Sequence, residues 1–314
     1  MTAISKSRGS SGPLLMFFLA GCVLVASASC SASKPIVADT TKLSGWTSEA
    51  QDRLPEPPFV VRYAARGKRL TYVASRHENA TPNATFALIE QEFRVLRPQR
   101  VIIEGLRVQT GVSPILYIAP DGCAEAAKQG VWPAGEAMFA ACLALEYGAD
   151  FIGGEPGPSE TLALFRENRL EARDLLYYTV VRQIGQWRRT GEGSGRPFAE
   201  LFHEFIGIWA PVFGLSATVL GDLKAFEVWY QKNAGVPFDY ETHDLNLAAP
   251  VSSPDASGLQ RMSSLCDRAR DASVVRTAAS ALSRFDRVLV VYGAGHFVSQ
   301  KAVFDAMLGK PISD

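Results

Sequence analysis

The sequence predicts an α/β domain: a largely parallel sheet flanked by helices, with a helical insertion covering the sheet edge. Three observations carry this prediction. Short apolar runs bounded by polar or turn residues recur at 70–75, 101–103, 151–153 and 288–292. Stretches of helical spacing separate them, and alternation of the two patterns indicates βαβ units. Each run also stops on or beside an ionisable residue, namely His77, Glu104, Glu155 and His296. Neighbouring parallel strands would gather those four side chains at the carboxyl ends of one sheet, where open α/β sheets place their ligands.

The elements follow in order. Phe59 to Tyr63 and Arg69 to Ser75 flank Ala65-Arg66-Gly67-Lys68, which reads as a hairpin with a glycine turn. Phe86, Leu88, Ile89, Phe93 and Leu96 recur at helical spacing; Asn83 can cap that helix and Pro98 stops it. Val101 to Ile103 is an apolar strand, Ala134 to Tyr147 a helix ending at Gly148, and Phe151 to Gly153 the next strand. From residue 158 to about 232 the chain reads as helical. One stripe holds Leu175, Tyr178, Val181, Ile184 and Trp187; another holds Phe198, Phe202, Phe205, Ile208 and Trp209. Both are expected to pack as core or as a lid. Residues 233–258 read as a long loop, 259–282 as a helix, 288–292 as the last strand and 297–308 as the last helix.

The 314 residues are 47% hydrophobic, enough for one large domain or two small ones. Lys+Arg and Asp+Glu are 32 each, so no basic field exists to attract nucleic acid.

Lys6 and Arg8 precede an apolar, small-residue stretch from Pro13 to Ala28, which reads as a secretory signal over residues 1–30. Leu19-Ala20-Gly21-Cys22 resembles a bacterial lipobox, which would make Cys22 a lipid-modified membrane anchor; ordinary cleavage near Ala26-Ser27-Ala28 is the alternative, and Cys30 is a weaker acceptor. Residues 31–58, rich in Ser, Thr and Pro, are expected to form a flexible tether, with the domain at 59–314 and its helical insertion at about 158–270. Cys123, Cys142 and Cys266 remain after the signal. With no CxxC or Cys/His cluster they exclude a structural zinc site and allow one disulfide of unspecified pairing.

His296 lies in Gly293-Ala294-Gly295-His296, where glycines allow a sharp turn beside the imidazole. Glu104 and Glu155 interrupt apolar runs, and burying a carboxylate requires a cation or donors. Imidazoles with carboxylates suit either a general acid/base pair or a divalent transition metal such as Mn, Co or Zn, held by His77, Glu104, Glu155 and His296. Arg270-Asp271 lies in the helix before the last strand. His203 is expected to pack within its aromatic stripe, and His243 sits in a loop that could cover a site. No phosphate loop, GxSxG or HExxH is present.

These residues resemble the superfamily of TraB/GumN proteins, Tiki proteases, erythromycin esterases and ChaN-like haem-uptake lipoproteins. The resemblance spans about residues 68–308. It rests on Ser75-Arg76-His77-Glu78-Asn79, on Glu104 and Glu155, on Arg270-Asp271 followed by Ala278-Ala279, and on Val291-Tyr292-Gly293-Ala294-Gly295-His296-Phe297. Ala74 stands where that family's first GxxH motif has glycine. The resemblance implies an α/β fold with a His/Glu site at the sheet edge. Its members differ in reaction: metal-dependent peptide hydrolysis, metal-independent ester hydrolysis, or haem binding. The resulting expectation is an exported hydrolase acting on a small-molecule or peptide substrate. His77 and His296 are bases or ligands, Glu104 and Glu155 ligands or bases, and Arg270 orients a carboxylate or carbonyl oxygen. The alternative is a lipid-anchored protein binding haem or an iron complex, with Tyr72, Tyr292 and the Tyr177-Tyr178 pair as candidate iron ligands.

Overall fold

The computed structural model describes residues 35–107, 120–216, 220–251 and 253–312. The signal and lipobox, with Cys22 and Cys30, lie outside the described residues. From Pro35 onward the chain forms one compact unit.

Five strands build one sheet: β1 (Phe59–Ala65), β2 (Lys68–Ser75), β3 (Arg100–Arg107), β4 (Asp150–Glu155) and β5 (Arg287–Gly293), in the order β1-β2-β5-β3-β4. β1 pairs antiparallel with β2 through the expected hairpin; every other pairing is parallel. In register, Ser75 stands opposite Gly293 and Ile103 opposite Val291, so the carboxyl ends of β2, β5 and β3 finish side by side.

The helices are α1 (Ser48–Gln51), α2 (Ala84–Leu96), α3 (Pro120–Gln129), α4 (Gly135–Tyr147), α5 (Pro158–Glu167), α6 (Ala172–Thr190), α7 (Phe198–Trp209), α8 (Leu223–Ala234), α9 (Gly258–Arg284) and α10 (Ala294–Leu308). Asn83 caps α2 as expected, its Oδ1 accepting from the Phe86 amide at 2.8 Å. On one face of the sheet, α2 and α4 cover Val73, Val101, Ile103, Leu289 and Val291. On the other, α9 and α10 cover Leu70, Tyr72, Ile102, Val290 and Tyr292. This division follows from crossover handedness. Connections β2-to-β3 and β3-to-β4 move one way across the sheet and β4-to-β5 moves back, so right-handed crossovers put their helices on opposite faces. Chain leaving β5 and chain leaving its neighbours β2 and β3 therefore part to opposite faces. The crevice opens there.

The insertion between β4 and β5 has its own apolar core, built by Phe165, Tyr177, Ile184, Phe202, Phe226 and Trp229 and reaching Cys266 on α9. Both aromatic stripes face inward, except that Ile208 is exposed. Helix α3 was not apparent in the sequence. It is joined to α4 by a Cys123–Cys142 disulfide, while Cys266 is free and buried.

Residues 35–58, expected as a tether, lie against the domain from Pro35 on. Ile36, Ala38, Leu43 and Leu54 pack on the α9/α10 side, and the Ser44 amide donates to the Ser299 carbonyl at 3.2 Å. The reason is spacing: apolar residues recur among the Ser and Thr and find partly covered apolar surface on α10. No helix among the described residues is long and apolar enough to cross a membrane.

Candidate active site

A cleft of about 660 Å³ opens where the carboxyl ends of β2, β3 and β5 meet α6, α9 and the first turn of α10. His77, Glu104, Arg270, Asp271 and His296 line it, with Trp46 from the N-terminal segment.

His77 stands two residues beyond β2, with its side chain 65% exposed. Its Nδ1 lies 2.5 Å from Oε1 of Glu136, a buried carboxylate in the first turn of α4. The carboxylate accepts a hydrogen bond from Nδ1–H, so the neutral ring presents its Nε2 lone pair on the opposite edge. The hydrogen bond to Glu136 raises the His77 pKa above the usual imidazole value, and the negative charge of Glu104 adds to it against the effect of burial.

His296 repeats the arrangement. It sits in the first turn of α10, with Nδ1 2.8 Å from Oδ1 of buried Asp271 on α9. Gln300, one turn further along α10, also donates to that oxygen at 2.7 Å. Burial and the Arg270 charge push the His296 pKa down; Asp271 and Glu104 outweigh them and raise it. Its Nε2 points toward Glu104, 3.9 Å from Oε1.

Glu104 lies between the two imidazoles. Gly105, at φ +76°, follows it in a β3 irregularity between Ile103 and Arg107. Glycine tolerates that conformation, which lets the strand kink where Glu104 turns into the site. The carboxylate accepts from Arg270 Nη2 at 2.5 Å and from the Gly293 amide at 2.5 Å. Burial pushes its pKa up, but Arg270, both histidines and the Gly293 N–H prevail and hold it at about 2.

Glu155 closes the other side of Arg270. It accepts from Nε and Nη2 at 2.8 Å each and from the Tyr292 hydroxyl at 2.7 Å. The guanidinium thus bridges two carboxylates, the planar geometry arginine provides and lysine does not. Glu155 does not line the cleft; its oxygens are spent on Arg270, Tyr292 and the Gly105 amide. It holds Arg270, and Arg270 holds Glu104.

The structure therefore brings together His77, Glu104, Arg270 and His296, with Glu155 directly behind. Sequence reasoning missed Glu136 and the orienting role of Asp271. Glu136 left one signal, an acid in the first turn of a mostly apolar helix. Asp271 was visible only as the neighbour of Arg270. Two other histidines fall elsewhere. His203 is exposed, with Nε2 2.8 Å from the Gly221 carbonyl, because it follows Phe202 and so points off the aromatic stripe. His243 is buried in the insertion, its Nδ1 2.8 Å from the Tyr230 hydroxyl, and does not reach the cleft.

Comparison of the chain with family models, with curated proteins and with solved structures finds no match. The function must be argued from this geometry.

His77, Glu104 and Glu136 each place one donor atom within 4.8 Å of the others, a grouping that could hold a cation. Their oxygens are already committed. Glu136 accepts a hydrogen bond from His77 Nδ1–H, and Glu104 accepts from Arg270 and the Gly293 amide. A divalent ion there would face a guanidinium touching one of its ligands. The donor set fits a metal poorly, and Arg270 supplies the positive charge between the glutamates. The tyrosines considered for haem do not line the cleft: Tyr292 is buried behind it with its hydroxyl bound to Glu155, and Tyr72, Tyr177 and Tyr178 are buried in the two cores.

Proposed function

We propose that this protein is a hydrolase of ester or amide bonds, acting by proton transfer between two carboxylate-held histidines. The observation that carries the reading is the paired arrangement. Each imidazole has Nδ1 fixed by a carboxylate, and each belongs to the wall of one cleft. A packed core has no need of that, whereas general acid/base chemistry needs an oriented ring with a free nitrogen.

His77 is the base. Its Nε2 accepts a proton from water while the hydroxyl oxygen attacks the carbonyl carbon. The carbonyl oxygen gains charge and needs donors. The N-terminus of α10 provides them: Gly293 at its N-cap makes no side-chain capping bond, and Ala294, Gly295 and His296 face the cleft. Unpaired amides at a helix start favour a developing anion. His296 in its protonated form then gives its Nε2 proton to the leaving oxygen or nitrogen as that bond breaks. The raised pKa of His296 favours this role.

The cellular setting is part of the proposal. The N-terminal signal directs the chain to the cell envelope, with Cys22 as its lipid anchor. The Cys123–Cys142 disulfide supports an oxidising compartment. The resemblance to the erythromycin esterase, Tiki and ChaN-like superfamily agrees with a His/Glu site at the sheet edge, and within it the geometry favours the reaction without a metal.

A panel of ester and peptide substrates, assayed with and without chelator and with Mn, Co and Zn, tests the reading. His77→Ala and His296→Ala should each lower kcat/KM by about two to four orders of magnitude with the fold retained, the first costing about 1 kcal/mol or less and the second about 1–3 kcal/mol because buried Asp271 loses a partner. Full activity in either variant removes that histidine from the mechanism. Loss of wild-type activity on chelation restores the metal-dependent reading. A Soret band on adding haem, without turnover, would replace hydrolysis by haem binding.

A further inference from the structure

The proton-transfer machinery leaves two cations of the cleft unused. Arg182 projects from α6 and Arg268 from α9, and both line the cleft with His77 and His296. Both are exposed to it. Among the described residues, Arg270 is bridged by glutamates, Arg76 is paired with Glu56, and neither Arg182 nor Arg268 makes an ion pair or hydrogen bond. One carboxylate lies near them: Asp267, whose Oδ1 is 3.7 Å from Arg270 Nη1. Arg182 is close enough to Arg270 to feel its like charge. Arg182 and Arg268 thus each present to the cleft a guanidinium to which no carboxylate is bonded.

Helical spacing explains the placement. Ser264, Asp267, Arg268 and Asp271 recur on one side of α9 and all line the cleft. The side that orients His296 through Asp271 thus also presents Arg268, one turn from the catalytic centre. Trp46 faces the same space from the N-terminal segment, its indole nitrogen near Gly295.

We infer that Arg182 and Arg268 form an anion subsite. It would receive a carboxylate or phosphate carried by the substrate. This rests on the hydrolase reading and names its substrate class: an ester or amide whose acyl or leaving portion bears an oxyanion. Guanidinium forks match both groups bidentately. A fixed anion in the subsite would also hold the scissile carbonyl beside the start of α10, which turns binding into orientation.

Two esters of one leaving group test it: neutral p-nitrophenyl butyrate and the mono-p-nitrophenyl ester of glutarate. The wild type should prefer the anionic ester. In R182Q/R268Q the ratio of the two kcat/KM values should fall about tenfold per arginine, as for loss of a charge-assisted hydrogen bond. R182K/R268K, which keeps the charge, should retain part of the preference. Both side chains are exposed, so melting curves should coincide. An unchanged ratio in R182Q/R268Q overturns the subsite. If neither ester is cleaved, the hydrolase reading fails on its own, and calorimetric titration of the full chain with glutarate and with inorganic phosphate decides the subsite separately. Saturable binding lost in R182Q/R268Q upholds it, and which anion binds tells carboxylate from phosphate. No binding of either ends it.

Discussion

Arg270 shows how single residues set the chemistry of the cleft. Its guanidinium is bonded to Glu104 and Glu155 at once, and all three side chains are largely buried. Replacing Arg270 by Met would leave two buried carboxylates without a cation, at a cost of about 3–5 kcal/mol. Chemical denaturation should show that loss, and a loss under about 1 kcal/mol would mean that solvent reaches the glutamates. Glu104 gives the same network a pH signature. Its folded pKa of about 2 lies below the usual 4.5, so its stabilisation is present above 4.5 and fades as pH falls toward 2. The histidines act in the opposite sense. Their raised pKa values add stability that is full below about 6.5 and is lost as pH rises through the folded value. The network should therefore be most stable between these limits, near mildly acidic pH.

At the scale of elements, the junction of β5 and α10 is the tightest point of the site. A Cβ at Gly293 would lie 3.1 Å from Glu104 Oε2 and 3.4 Å from the His77 ring. The glycine is there for close approach, since strand end, glutamate and imidazole meet at one point. Gly293→Ala should cost about 1–3 kcal/mol by overpacking and should displace His77 or Glu104, lowering activity. Wild-type stability with wild-type rates in that variant would show that the contact is slack. The strands, the hairpin and the cap of α2 were legible in the sequence because each is specified locally, by apolar runs, a glycine turn and Asn83. So was the convergence of four strand ends, since parallel order follows from βαβ alternation. The Glu136 contact was not legible, because it joins α4 to the end of β2 by tertiary packing alone. The partners of Glu155 were equally hidden, since an arginine clamp and a metal ligand leave the same trace, a carboxylate ending an apolar run.

For the whole molecule, the N-terminal segment would link the proposed location to the proposed function. Trp46 of that segment lines the cleft, and Cys22 precedes it by 24 positions in the sequence. The proposed anchor would hold the site near a membrane surface by acyl chains, each buried methylene contributing about 0.8 kcal/mol. Cys22→Ser should move the protein from the membrane to the soluble fraction of cells. Continued membrane association would point to a retained signal helix, and a wild-type protein already soluble would point to ordinary cleavage. Residues 35–58 were misjudged as a tether for a physical reason. Composition reports the Ser, Thr and Pro that solvate a linker, but not the surface of α10 on which Ile36, Leu43 and Leu54 settle.

The proposed chemistry depends on the Glu136–His77 pair acting as a base, and the pH dependence of kcat/KM in the wild type and in Glu136→Gln measures it most directly. The wild type should give a bell-shaped profile: activity rises as His77 loses its proton, with that limb displaced above 6.5 because the Glu136 carboxylate stabilises the protonated ring, and falls as His296 loses its own. Glu136→Gln removes that charge. Its rising limb should move to lower pH, and its maximum should drop by about tenfold or more as the ring loses its oriented tautomer. Coincident profiles in the two proteins would contradict His77 as the base.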